Sequence, residues 1–183
     1  MKKLIAAYEQ PQRQYHTLQH LNECFTLFEP NRHLAKYPAE VEIALWFHDA
    51  VYDIKAQDNE ARSANWAAEE LAAAQVSQES IERVKQLIMA TCHSALPEGQ
   101  DQQLLVDIDL SILGSSRHRF IEYETQVRGE YQWVPGFLFR KKRRGILKEF
   151  LARNPIYNTP EIRQALESQA RDNLAYSVKQ LGG

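Results

Sequence analysis

Four stretches of the chain carry side chains that could do metal chemistry. They are His16 and His20 in Tyr15–His20, His48-Asp49 at the end of Val41–Phe47, His93 in Thr91-Cys92-His93, and Asp107 and Asp109 in Asp107–Leu110. The lead-in to His48 (Val41, Ile43, Ala44, Leu45, Trp46, Phe47) is apolar enough to be a helix buried on more than one face. An imidazole and a carboxylate at the end of such a run are costly unless something compensates, and a divalent cation is the strongest compensation available. A mixed His/carboxylate set suits Mn, Fe, Ni, Co, Zn or Mg better than a soft, thiolate-seeking metal. Asp53, four residues past Asp49, is expected one helical turn on and facing the same space. His16 and His20, four apart, are expected on one helix face. Each stretch also has a bland reading: a capped helix end, a decorated surface, or, for His93, a histidine favoured at a helix C-terminus by the dipole.

The elements that must position these residues read as helices, with no convincing alternating strand. A short helix is expected over 2–9, then one from about Tyr15 to Phe28 ended by Pro30-Asn31, and one opened by Tyr37-Pro38 that carries His48 and Asp49. Asp58 is expected to cap a helix through Gln75, and Ser77 another through Cys92. After the Pro97-Glu98-Gly99 loop, Leu104 to Leu113 reads as a helix ending at Gly114. Helices from about Ser116 to Trp133 and from Phe137 to Arg153 follow, and the last opens with Thr159 as cap and Pro160 at the first position. With 183 residues and neither linker nor repeat, the expectation is one all-α domain over 1–183, a helical bundle.

Composition narrows the function classes. A hydrophobic share of 44% with 25% charge is that of a soluble globular chain, and a net charge of −2 argues against a general nucleic-acid or membrane binder. No run approaches a membrane span, and the apolar N-terminal stretch is too short for a signal peptide. Cys24 and Cys92 have no metal-type spacing and read as reduced, buried thiols, so a cytoplasmic location is expected.

The ordered motifs add a resemblance. His20, then His48-Asp49, then Asp109 is similar to the H…HD…D signature of the HD superfamily of metal-dependent phosphohydrolases. Tyr15–His20, Phe47–Asp53, Asn59–Ala64, Thr91–His93 and Asp107–Gly114 resemble that superfamily's small, predicted-phosphohydrolase branch. The likeness extends through Arg128, Glu130-Tyr131 and Ala170–Leu174. It implies an HD-type helical fold in which His20, His48, Asp49 and Asp109 hold one divalent ion that activates water for attack on phosphorus. It further implies a small phosphorylated substrate, plausibly a nucleotide. His16 would then face substrate or a second ion. Asp107, rotated about 200° from Asp109 on a helix, would be structural. Asp53 corresponds to the final acid of the HDxxED pattern of stringent-response hydrolases, although Tyr52 replaces that pattern's Glu.

Asp53, Glu60 and His93 are the candidates for proton transfer. Arg128 and Arg144, with Arg140 and Lys141 beside them, are candidates to neutralise substrate phosphate. The run Lys141–Arg144 is expected to be a solvated basic face rather than a nucleic-acid patch, because no aromatic interleaving accompanies it. Tyr123, Tyr131 and Trp133 are expected in the core, and His33 and His118 on the surface. The alternative is a non-catalytic HD-type module that binds a nucleotide or partner around a structural metal. A third reading is a redox di-metal site that uses His16, His20 and His93 as additional ligands. Association into a homo-oligomer stays open.

Overall fold

The computed structural model describes residues 2–93 and 96–182. Among them the regular structure is entirely helical. The chain divides into two compact units, Met1–Asp109 and Leu110–Gly183.

The first unit is built around α3 (Pro38–Phe47), the most apolar helix of the chain. It packs against α2 (Leu18–Asn31), α4 (Asn59–Ala73), α5 (Gln78–Ala90) and α6 (Gly99–Asp109), which accounts for Val41, Ala44 and Leu45 being buried. A short α1 (Lys2–Tyr8) adds Leu4 and Tyr8 to a cluster with Leu21 and Ala50. Local signals start these helices as read: Pro38 stands at the first turn of α3, and the Ser77 hydroxyl caps α5 by accepting from Ser80 N at 3.3 Å. Glu40 of α3 is held by Arg83 of α5 through two hydrogen bonds of 2.7 Å each.

Several boundaries differ from the sequence reading. Helix α2 begins at Leu18, because the Thr17 hydroxyl caps it by accepting from Gln19 N at 3.3 Å. His16 therefore precedes the helix instead of sharing its face with His20. Pro30 lies inside the last turn of α2, so it does not end the helix. Helix α6 stops at Asp109, and Leu110–Gly114 continues as a 3₁₀ turn.

In the second unit α7 (Arg117–Glu130), α8 (Gly136–Ala152) and α9 (Pro160–Gln180) follow that turn. Buried Asn173 of α9 donates to the carbonyls of Leu113 and Ser115, each at 2.8 Å, and Tyr157 Oη donates to Leu110 O at 3.1 Å. Gly114 allows the close approach: a Cβ there would lie 2.6 Å from Leu166 Cβ and 2.9 Å from its carbonyl oxygen. Tyr123 is buried as expected, whereas Trp133, expected in the core, is 55% exposed. It sits in the turn between α7 and α8, outside any helix. No described helix is long and apolar enough to cross a membrane.

Candidate metal centre

The end of α3 delivers His48, the last turn of α6 delivers Asp109, and the first turn of α2 delivers His20. Their donor atoms meet. His20 Nε2 and His48 Nε2 are 3.2 Å apart, and Asp109 Oδ1 lies 3.2 Å from the former and 3.5 Å from the latter. Asp49 Oδ2 lies 3.1 Å from His48 Nε2 and 3.5 Å from His20 Nε2. Spacings of about 3 Å are what donors about 2.1 Å from one ion adopt when they sit side by side around it.

The rings are held in the orientation a ligand needs. His48 Nδ1 lies 2.8 Å from the Leu45 carbonyl, which can only accept, so Nδ1 carries a proton and Nε2 faces the cluster. His20 Nδ1 is hydrogen-bonded to Tyr15 Oη at 3.0 Å, which likewise leaves Nε2 inward. Both histidines are almost wholly buried. Burial pushes the His48 imidazole down, but the Asp49 charge and hydrogen bonds to Asp109 and Asp49 outweigh it and hold its pKa well above the ordinary value. Burial raises the Asp49 carboxyl, yet His48 and the neighbouring His16 and His20 bring it below the usual range. Asp109 is depressed in the same way, burial being overcome by hydrogen bonds from His20, His48 and His93. Two ionised carboxylates thus face two imidazoles in a buried space, a donor set that fits a divalent cation.

Cys24 belongs to the same neighbourhood. Donor atoms of His20, Cys24, His48 and Asp109 all lie within 4.8 Å of one another, so these residues could hold a metal ion. Asp49, with Oδ2 3.1 Å and 3.5 Å from the two histidine nitrogens, is a further candidate donor. Cys24 Sγ is 3.8 Å from both ring nitrogens of His20, which places it beside the ring and off the line of the Nε2 lone pair. Burial and the charges of Asp109 and Asp49 push the Cys24 thiol well above its ordinary range, and ligation would require it to lose that proton.

The other candidate residues fall in several places. His93 Nε2 donates to Asp109 Oδ2 at 3.1 Å, directly at the cluster. His16 lies with its ring 6.1 Å from that of His20 and stacked 4.1 Å from Tyr52. Glu60 is half-buried in the first turn of α4, and after burial it is the neighbouring carboxylate that pushes the Cys92 thiol up, so it stands near the His93 segment. Cys92 itself is only half-buried, where a buried thiol was expected. Asp53 is not one helical turn from Asp49, because α3 ends at Phe47 and the chain leaves the helix before Asp53. Asp53 is exposed, and its Oδ1 accepts from Lys55 N at 2.9 Å within its own loop.

Arg128 and Arg144 lie in the second unit. Arg128 donates to the carbonyls of Tyr131 and Val134 and covers the Phe139 ring, closing the turn after α7. Arg144 packs its guanidinium against Gly182, where a Cβ would come within 2.3 Å of it. His33 and His118 are exposed, as expected, and Asp107 is fully buried.

Two residue sets escape a motif reading. Arg13, buried to 5% exposure, donates to His16 O at 3.0 Å, Asp49 O at 2.7 Å and Ala50 O at 3.0 Å. It ties the turn bearing His16 to the loop bearing Asp49, and no spacing in the sequence marks it. The Asn59–Ala64 motif acts as a loop clamp. Asn59 brackets the Asp53 backbone, accepting from its N–H at 3.0 Å and donating to its carbonyl at 2.9 Å. The Ser63 hydroxyl accepts from Val51 N at 3.0 Å.

No family model, curated protein or solved structure matches this chain.

Proposed function

We propose that this protein is a metal-dependent phosphohydrolase of the HD type, acting on a small phosphorylated compound such as a nucleotide. The observation that carries the reading is the convergence of Asp49 Oδ2 and Asp109 Oδ1 on the His20 and His48 Nε2 atoms, each oxygen 3.1–3.5 Å from both nitrogens, which are themselves 3.2 Å apart. A divalent ion held by these four residues supplies Lewis acidity toward a phosphoryl oxygen and lowers the pKa of water.

The chain's own residues supply the rest. The Leu45 carbonyl and Tyr15 hydroxyl fix which ring nitrogens face inward. Arg13 holds the Asp49 loop through main-chain carbonyls and leaves the carboxylate to face the histidines. His93 is half-buried with its Nε2 on the outer oxygen of Asp109, so it stands at the edge of the cluster as the candidate to pass a proton to a leaving-group oxygen. His16, with its ring 6.1 Å from that of His20, is the residue we assign to the substrate.

The test is to strip the purified protein, reload it with Mn, Co, Ni, Fe, Zn or Mg, and screen nucleotides and phosphate esters for phosphate release. Metal-dependent hydrolysis that Asp49→Ala abolishes supports the proposal. Stoichiometric metal without turnover on any ester would favour the binding-module alternative.

A further inference from the structure

The basic run of α8 does not form one solvated face. Arg143 turns inward, is 8% exposed, and pairs with Glu124 of α7 through a hydrogen bond of 3.1 Å from its Nε. Arg140, Lys141, Arg144 and Lys148 instead share another side of the helix with Phe137, all within about 60° of the Phe137 direction at 100° per residue. Together they line a groove of about 350 Å³. Among the described residues none of these four cations has a carboxylate partner. Like charges at i and i+4, as in Arg140/Arg144 and Arg144/Lys148, destabilise a helix, so the arrangement is unfavourable unless an anion relieves it.

Charge over the chain is segregated in the same sense. Residues 1–109 contain 9 Lys/Arg and 17 Asp/Glu, whereas residues 110–183 contain 13 Lys/Arg and 7 Asp/Glu, so the near-neutral total conceals a second unit of net +6. The aromatic that the sequence appeared to lack is present at the groove: Phe137 is 71% exposed at its end.

We infer that the α8 groove binds a single-stranded phosphodiester chain, with Arg140, Lys141, Arg144 and Lys148 on its phosphates and a base stacked on Phe137. Arg140 to Lys148 spans about 12 Å along the helix, at 1.5 Å per residue, enough for two or three phosphates. An exposed ring beside a cationic track is the combination that holds unpaired bases without reading their sequence. An anionic membrane surface fits less well: Phe137 is the one aromatic residue lining the groove, and exposed Ile146 points about 180° away from it. This inference is independent of the metal centre.

The experiment uses the full chain with fluorescent oligo-dT and oligo-U, and with vesicles of phosphatidylcholine alone or mixed with phosphatidylserine. Both oligonucleotides should bind, with log K falling against log[salt] at a slope of about −2 for the two or three phosphates the track spans. Lys141→Glu/Lys148→Glu should abolish binding. Phe137→Ala should weaken it about 5- to 100-fold with the salt slope unchanged. Lys2→Glu/Lys3→Glu, the same charge change on exposed α1, should leave it intact. Circular dichroism confirms that each variant folds. Absence of oligonucleotide binding at low salt, equal loss in the α1 variant, or binding to phosphatidylserine vesicles but not to oligonucleotides would each overturn the inference.

Discussion

Arg13 Nη1 donates to the main-chain carbonyl of Asp49 at 2.7 Å, thirty-six residues away in sequence. The same nitrogen reaches His16 O, and Nη2 reaches Ala50 O, so one buried guanidinium joins the turn before α2 to the loop after α3. The guanidinium also lies 5.2 Å and 5.4 Å from the ring centroids of Tyr8 and Tyr52. A candidate ligand is thereby positioned through its backbone, which leaves its carboxylate oxygens for other partners.

Arg13→Ala removes three donors from buried carbonyls and should destabilise the protein by about 2–4 kcal/mol, since hydrogen bonds to a charged group contribute about 1.5–3 kcal/mol each and are not additive. Arg13→Lys should recover only part, because an ammonium lacks the planar fork that serves two carbonyls at once. Metal affinity should fall in step with the loosened Asp49 loop. Denaturant titration and calorimetric metal titration check this; wild-type stability and affinity in Arg13→Ala would contradict it.

His16 and His20 should separate in their effects. His20 Nε2 is in the cluster and His16 is outside the helix and stacked on Tyr52. His20→Ala should therefore lose metal, whereas His16→Ala should keep it and turn over poorly. The reverse pattern would exchange their roles.

Asp53→Asn should leave metal content unchanged and stability within about 0.5 kcal/mol, as at ordinary surface positions, because an amide oxygen can still accept from Lys55 N. Its kcat should stay near that of the wild type. A hundredfold loss with metal retained would restore Asp53 as a proton-transfer group. Ser63→Ala should cost more, about 1–3 kcal/mol, by stripping the acceptor from Val51 N.

The Glu40–Arg83 pair gives a pH-dependent contribution to stability. Partial burial raises the Glu40 carboxyl, but hydrogen bonds from Arg83 and Ser80 and the Arg83 charge bring it below its ordinary 4.5. A carboxyl depressed by folding stabilises fully above its unfolded value and loses that contribution as pH falls through the folded one. Glu40→Gln should therefore melt below wild type at pH 7, and the gap should close between pH 4.5 and the lower folded-state pKa. A gap that persists unchanged in acid would show that packing, not charge, is responsible.

The residues of the cluster were legible because their types are expensive in the places they occupy. His48 follows an apolar helix and is buried, Asp109 ends another apolar segment and is mostly covered, and neither would sit there without a partner. Helix starts at Ser77 and Ser116 were legible from their hydroxyls, which do accept the expected backbone N–H groups. What escaped depends on chain direction after a helix stops. The end of α3 at Phe47 moved Asp53 off the expected face, and the Thr17 cap moved His16 off α2. Arg13 and Asp49 meet through main-chain atoms, which leave no side-chain pattern to read. In α8 the composition of the basic run was plain but its phase was not: Arg143 is sorted inward only because Glu124 on α7 waits for it.

Metal content of the purified protein, measured by plasma mass spectrometry in the wild type and in His20→Ala, His48→Ala, Asp49→Ala, Asp109→Ala and Cys24→Ser, tests the account most directly. The wild type should hold about one divalent ion per chain, each of the first four variants should lose it while remaining helical, and Cys24→Ser should keep it. A wild type that binds no metal, or metal kept by Asp49→Ala and lost by Cys24→Ser, would contradict the account.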